Sequence, residues 1–156
     1  MLLVLIIQLF GLCYAVEVSD EIFVLSSQEC SLFIGENVND VTANIQQDPI
    51  IQLINGYVDS YVWDGIELLV GIDDDLIKAF LVSDESFEIK AGVRIGSSRK
   101  EVIKLLGPPE YNATQNRNEL IYTKILSNDQ YGVIVKMLKI TLEQNSVVSF
   151  EVTTAI

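Results

Sequence analysis

Apolar positions along this chain change their period several times, and each change predicts an element. Val102, Leu105 and Leu106 recur at helical spacing with Ile103 at the margin, while Arg99, Lys100 and Lys104 take the wetter side. Ser97 or Ser98 stands where an N-cap is wanted, Glu101 lies at capping-box distance from Ser98, and Gly107 with Pro108 and Pro109 stops the helix. A weaker helix is expected from Asn37 to Gln46, and Pro49 is read as opening a further turn through Leu53 to Gly56. Elsewhere the period drops to that of strands: Tyr57 to Trp63, then Ile66 to Ile72 and Leu76 to Val82 across an Asp73-Asp74-Asp75 turn. Glu119 to Leu126, Tyr131 to Leu142 and Val147 to Thr153 continue it, with turns at Ser127-Asn128-Asp129 and Gln144-Asn145-Ser146.

The order of these elements repeats. Ile34-Gly35 and Ile95-Gly96 each precede an acidic-Val pair at Asp40-Val41 and Glu101-Val102, and the same offset carries Tyr61 to Tyr122. Further on, Ile66 to Val70 matches Leu138 to Leu142, and Leu76 to Phe80 resembles Val147 to Phe150. One such unit buries its core poorly, so two are expected to pack side by side. The expected fold class is α+β: two tandem units, each a short helix plus an antiparallel β-meander, packed as one sheet with helices on one face. The expected organisation is a signal peptide over residues 1–15, a first, acidic unit over 16–89 and a second unit over 90–156, with Phe87 to Gly92 as the link.

The leader is read from Met1 to Leu12, an almost unbroken apolar run followed by small residues and then by Glu17, Asp20 and Glu21. It is shorter than the ~20 apolar residues of a spanning helix, so no integral span is expected in the mature chain. Export to the periplasm, the envelope or the medium is the expected destination. Beyond residue 15 the only cysteine is Cys30, which removes an intramolecular disulfide and leaves stability to core packing. Cys30 itself, within Ser31-Leu32-Phe33-Ile34, is read as a small buried apolar residue.

Charge adds a polarity that the pattern does not show. The chain has 22 acidic and 10 basic residues, a net charge of −12. Residues 16–89 hold sixteen Asp or Glu against Lys78 alone, a net of −15, whereas residues 90–156 are net +3. Nucleic acid is disfavoured as a partner, and so is an anionic membrane surface. A protein partner is expected, and a basic one fits the charge best.

The candidate chemistry is thin. There is no histidine, which removes His-based nucleophile systems and most zinc sites. The Ile95-Gly96-Ser97-Ser98-Arg99-Lys100 stretch lacks the Gly-Lys-Ser/Thr of a phosphate loop, so its serines cap their own helix. Asp73, Asp74 and Asp75 form the densest carboxylate cluster, but they lack the alternating oxygens and closing Glu of a calcium loop. No catalytic residue, cofactor or metal is assigned. The candidate partner-binding residues are Tyr57, Tyr61, Trp63 and Tyr122, as aromatic anchors or as core closers, together with Asp73, Asp74 and Asp75. Asn112-Ala113-Thr114 is a glycosylation sequon.

The stretches GVRIGSSRKEVIKLLGPPEY, ELIYTK and MLKITLEQNSVVSFEV together resemble the pattern of the β-lactamase-inhibitor-protein-like fold, which includes small outer-membrane-assembly lipoproteins. Ile95-Gly96-Ser97, Leu106-Gly107-Pro108-Pro109, Tyr122 and the strand Val147 to Phe150 stand at the motif positions, over residues 90–152. Members of that fold class inhibit enzymes or scaffold envelope complexes, and their motif residues make turns and core. The resemblance implies a fold more than a function; with the leader, and with no histidine or clustered polar motif, the expected function is an exported, non-enzymatic protein-binding module, an inhibitor or an assembly component. The alternative is a carboxylate-dependent enzyme acting on a glycan or another polymer.

Overall fold

The structure is a computed structural model that describes residues 19–45, 47–109, 111–112, 118–129 and 132–155. A 3-10 turn at Asp20–Phe23 is capped by Ser19, whose hydroxyl accepts the Glu21 N–H. It leads into β1 (Leu25–Ser26), β2 (Ser31–Leu32), α1 (Val38–Asn44), β3 (Ile50–Leu53), β4 (Val58–Trp63), β5 (Ile66–Gly71) and β6 (Ile77–Val82). Then follow β7 (Glu88–Ile89), β8 (Val93–Arg94), α2 (Arg99–Leu106), β9 (Tyr111–Asn112), β10 (Glu119–Asp129), β11 (Gly132–Glu143) and β12 (Ser146–Ala155). The expected leader lies outside the described residues, as do Ala113 and Thr114 of the sequon. Among the described residues no helix is long and apolar enough to cross a membrane.

The strands form two antiparallel sheets, one of four strands ordered β2-β1-β7-β8 and one of eight ordered β3-β4-β5-β6-β12-β11-β10-β9. The chain is therefore mostly β, and the expected α+β layer of helices over one sheet face is corrected. The helices are only seven and eight residues long, and they bury only Val38, Val41 and Val102. A small second sheet adds Leu25, Leu32, Ile89 and Val93 to the core, and the 3-10 turn adds Ile22 and Phe23. Strands of two residues are too short to carry a period of two, so the pattern hides them. The stretch read as a link, Phe87 to Gly92, supplies the third strand of that sheet, with Ile89 paired to Leu25.

The large sheet's core face alternates as the pleat requires. Ile66, Leu68 and Val70 of β5, Phe80 and Val82 of β6, Phe150 and Val152 of β12, and Leu138 and Ile140 of β11 are buried. Each such side chain contributes about 1.5–3 kcal/mol on full burial, so this seam dominates the fold's stability. At its centre β6 pairs with β12, Val82 opposite Phe150 and Phe80 opposite Val152.

Both sides of that seam use one backbone bracket. The Gly35 N–H donates to the Ile77 carbonyl, the Ile77 N–H returns to Glu36, and the Val38 N–H meets the Asp75 carbonyl, at 2.8, 2.9 and 2.9 Å. Across the seam Gly96 donates to Val147, Val147 returns to Ser97, and Arg99 donates to Asn145, at 2.8, 2.9 and 2.9 Å. Gly35 and Gly96 have φ of 91° and 86°, and Asp75 and Asn145 have φ of 54° and 68°. Register also moves one expected correspondence. Trp63 lies opposite Ile66 and Tyr122 opposite Leu138, so Trp63, not Tyr61, is the counterpart of Tyr122. Their polar atoms agree: Trp63 Nε1 donates to the Gln47 carbonyl at 2.9 Å and Tyr122 Oη to the Gly107 carbonyl at 3.0 Å, each just past a helix.

Candidate functional site: an uncovered edge and an acidic cleft

The structure separates the residues singled out by sequence. Trp63 and Tyr122 are 7 % and 1 % exposed and anchor post-helix loops, and burial pushes the Tyr122 phenol up to about 12. Tyr61 is half-buried against the core, its ring tilted toward Trp63 with centroids 6.4 Å apart. Tyr57 is 82 % exposed and precedes β4 rather than lying in it. These four rings do not share one exposed face.

The three aspartates sit in the β5–β6 turn. Asp74 accepts the Leu76 N–H and pairs with Lys78 at 2.5 Å, and that lysine hydrogen bond holds its carboxyl below the ordinary value. Asp75 takes the left-handed conformation and gives its carbonyl to α1, so its place in the sequence is accounted for by the backbone. Among the described residues no group of His, Cys, Asp and Glu is placed to hold a metal ion.

The segment expected as a helical turn after Pro49 is instead β3, and this correction exposes the most distinctive surface of the molecule. Ile50, Ile51 and Leu53 are β-prone, and pairing with β4 gives the strand a ladder that a short isolated helical turn lacks. β3 ends the large sheet, and all four of its residues are exposed, Leu53 at 82 %. Ile54, Tyr57 and Ile72 extend the apolar surface at its C-terminal end. Edge strands are usually blunted by a lysine, a proline, a bulge or brevity. The register between β3 and β4 has no bulge, and the chain from Pro49 to Val58 carries no charge in the most acidic half of the sequence. The signal in the sequence is that uncharged apolar run, which is too short for its period to separate a turn from a strand.

A cleft of about 330 Å³ opens beside the N-terminal end of β3, lined by Gln47, Trp63, Asp64, Glu29, Asp84 and Cys30 among others. Three of those side chains are carboxylates. Burial raises the Cys30 thiol above its ordinary value, outweighing the opposing effect of the Ser27 side chain, which makes it a weak nucleophile at neutral pH. The residues lining this cleft come from the β1–β2 turn, the segment after α1, the β4–β5 hairpin and the segment after β6, which the sequence alone does not bring together. On the far side of the sheet from the core the charges are answered internally: Ser60 donates to Glu67 at 2.9 Å, and Lys139 pairs with Glu151 across β11 and β12. Among the described residues no strand lies on the outer side of β3, and Asp48 and Asp64 near its start make no ion pair.

No protein-family model matches the chain. No curated protein matches it. The chain is similar to the crystal structure of an extracellular protein containing a SCP domain from Bacillus anthracis str. Ames, at a TM-score of 0.50 and 9 % identity. The match covers 77 % of this chain and 43 % of that one, so the chain spans less than half of that protein's length. At that identity the likeness concerns the fold alone.

Proposed function

We propose that the chain is an exported, non-catalytic protein-binding module and that β3 is the edge at which it takes its partner. The observation that carries this reading is the strand itself: an outer edge with no neighbour among the described residues, apolar side chains on both faces, and neither a charge nor a bulge to blunt it. A partner strand laid along it gains main-chain hydrogen bonds and covers Ile50, Ile51 and Leu53. Export is supported by the leader-like run Met1 to Leu12 and by the extracellular character of the structurally similar protein. The resemblance of residues 90–152 to the inhibitor-like fold points to the same class of work.

The test compares two baits, the native chain and Leu53→Lys, against extracellular and envelope fractions of the host. A protein retained by the native chain and lost by the variant is the expected result. Leu53 is largely exposed, so the variant keeps its fold. Identical capture by both baits rejects β3 as the contact, and intact mass of the native protein beginning at Val16 checks the export.

A further inference from the structure

We infer that the occupant of the β3 edge is an extended segment of a partner polypeptide, apolar in its middle and carrying Lys or Arg at both ends. This inference rests on the reading of β3 as a docking edge and names the chemistry of what docks there. The uncharged strand has acidic groups beyond each end. Asp48 precedes it, and the cleft carboxylates Asp64, Glu29 and Asp84 open at that same end, because Ile50 pairs with Val62 near the end of β4. At the other end Leu53 pairs with Asp59, and the Ile72 N–H donates to the Tyr57 carbonyl, which brings Asp73 beside the exposed Tyr57.

Among the described residues Asp48, Asp64 and Asp73 make no ion pair. Four residues of strand span about 13 Å, so the ends of a segment covering β3 pass Asp48 on one side and Leu53 on the other, with Asp59 on β4 and Asp73 after β5 lying inward of that second end. A second copy of this chain is the competing occupant, and charge argues against it. It would bring another −12 to the interface, and Lys78, beside Gly71 at one end of that sheet, is already paired with Asp74.

The test uses two labelled peptides, KKVIVTVKK and EEVIVTVEE, with the native full-length chain, Leu53→Lys, and the triple variant Asp48→Asn/Asp64→Asn/Asp73→Asn. The cationic peptide should bind the native chain and protect the backbone amides of β3 from exchange. The acidic peptide should bind at least about tenfold more weakly, and raising NaCl from about 0.05 to about 0.5 M should weaken the cationic complex by a similar factor. Leu53→Lys should abolish binding, and the triple variant should flatten the salt response. Equal affinity for both peptides, no binding of the cationic one, or binding that survives Leu53→Lys overturns the inference. If the native chain is instead a dimer in sedimentation and Leu53→Lys dissociates it, the edge stands as a docking surface while the cationic occupant is overturned. If neither peptide binding nor self-association responds to Leu53→Lys, the docking reading falls with it.

Discussion

The two halves of the large sheet share a backbone and differ in what they show to solvent. Each has a glycine at positive φ, a capped short helix, a residue in the left-handed region before its last strand, and an aromatic ring donating to the carbonyl just past the helix. The side chains at these matched places differ: Asn37 caps α1 with one hydrogen bond to the Asn39 N–H, whereas Ser98 and Glu101 close a reciprocal capping box on α2. At the outer edges the halves part entirely, since β3 is a four-residue apolar strand and β9 a two-residue one. Backbone brackets of this kind need only a few residue types at fixed places. The remaining positions are free to set charge and docking chemistry, and the halves have used that freedom in opposite directions.

The comparison is tested most severely at the seam. Phe80→Ala and Phe150→Ala remove counterpart rings that are 2 % and 0 % exposed, and each should cost about 3–5 kcal/mol in urea unfolding. If one substitution proves nearly neutral, the two halves do not share the load of the seam equally. A smaller effect is expected at the brackets. An added Cβ meets nothing within 4 Å at Gly35 or Gly96, so only the positive φ resists it, and Gly35→Ala and Gly96→Ala should each destabilise by about 1–2 kcal/mol. Thermal midpoints that fall for one and not the other would show that the brackets are unequal.

Smaller again is the loss of one hydrogen bond. Tyr122→Phe keeps the ring and removes the bond to the Gly107 carbonyl, for about 0.5–1.5 kcal/mol. Spectral titration of the native chain should also show a phenol ionising near 12 that Tyr122→Phe removes. The smallest effect separates Glu36 from its counterpart Ser97. Desolvation holds the Glu36 carboxyl above its ordinary value, and its Oε2 is buried without a partner, whereas Ser97 accepts the Arg94 N–H at 3.1 Å. A raised carboxyl in the folded state means that the folded chain binds the proton more tightly than the unfolded one. Its ionisation therefore lowers stability at neutral pH, and that loss is recovered as pH falls through the folded value toward the ordinary 4.5. Glu36→Gln should raise the unfolding midpoint slightly at pH 7, with the gain shrinking in that acidic window. A gain that persists unchanged at pH 4 points to a cause other than charge.

The sequence by itself determined the elements whose signals are local. Ser98, Glu101 and Gly107 fix α2 through hydrogen bonds made within a few residues, and the Gln144-Asn145 turn is signalled by Asn145, a residue type that tolerates positive φ. The long apolar runs of β5, β6, β11 and β12 were equally legible, because alternation over six or more residues fits a half-buried strand and little else. Tertiary structure decided the rest. Strands of two residues become a sheet only when Leu25 finds both Leu32 and Ile89, the second of them far along the chain. The run Ile50 to Leu53 fits a turn or a strand by its own pattern, and only the ladder with β4 selects the strand. That selection also decides the candidate site, because an apolar residue's exposure depends on whether a neighbour arrives to cover it. At β3 no strand among the described residues does, and nothing in the local sequence records that.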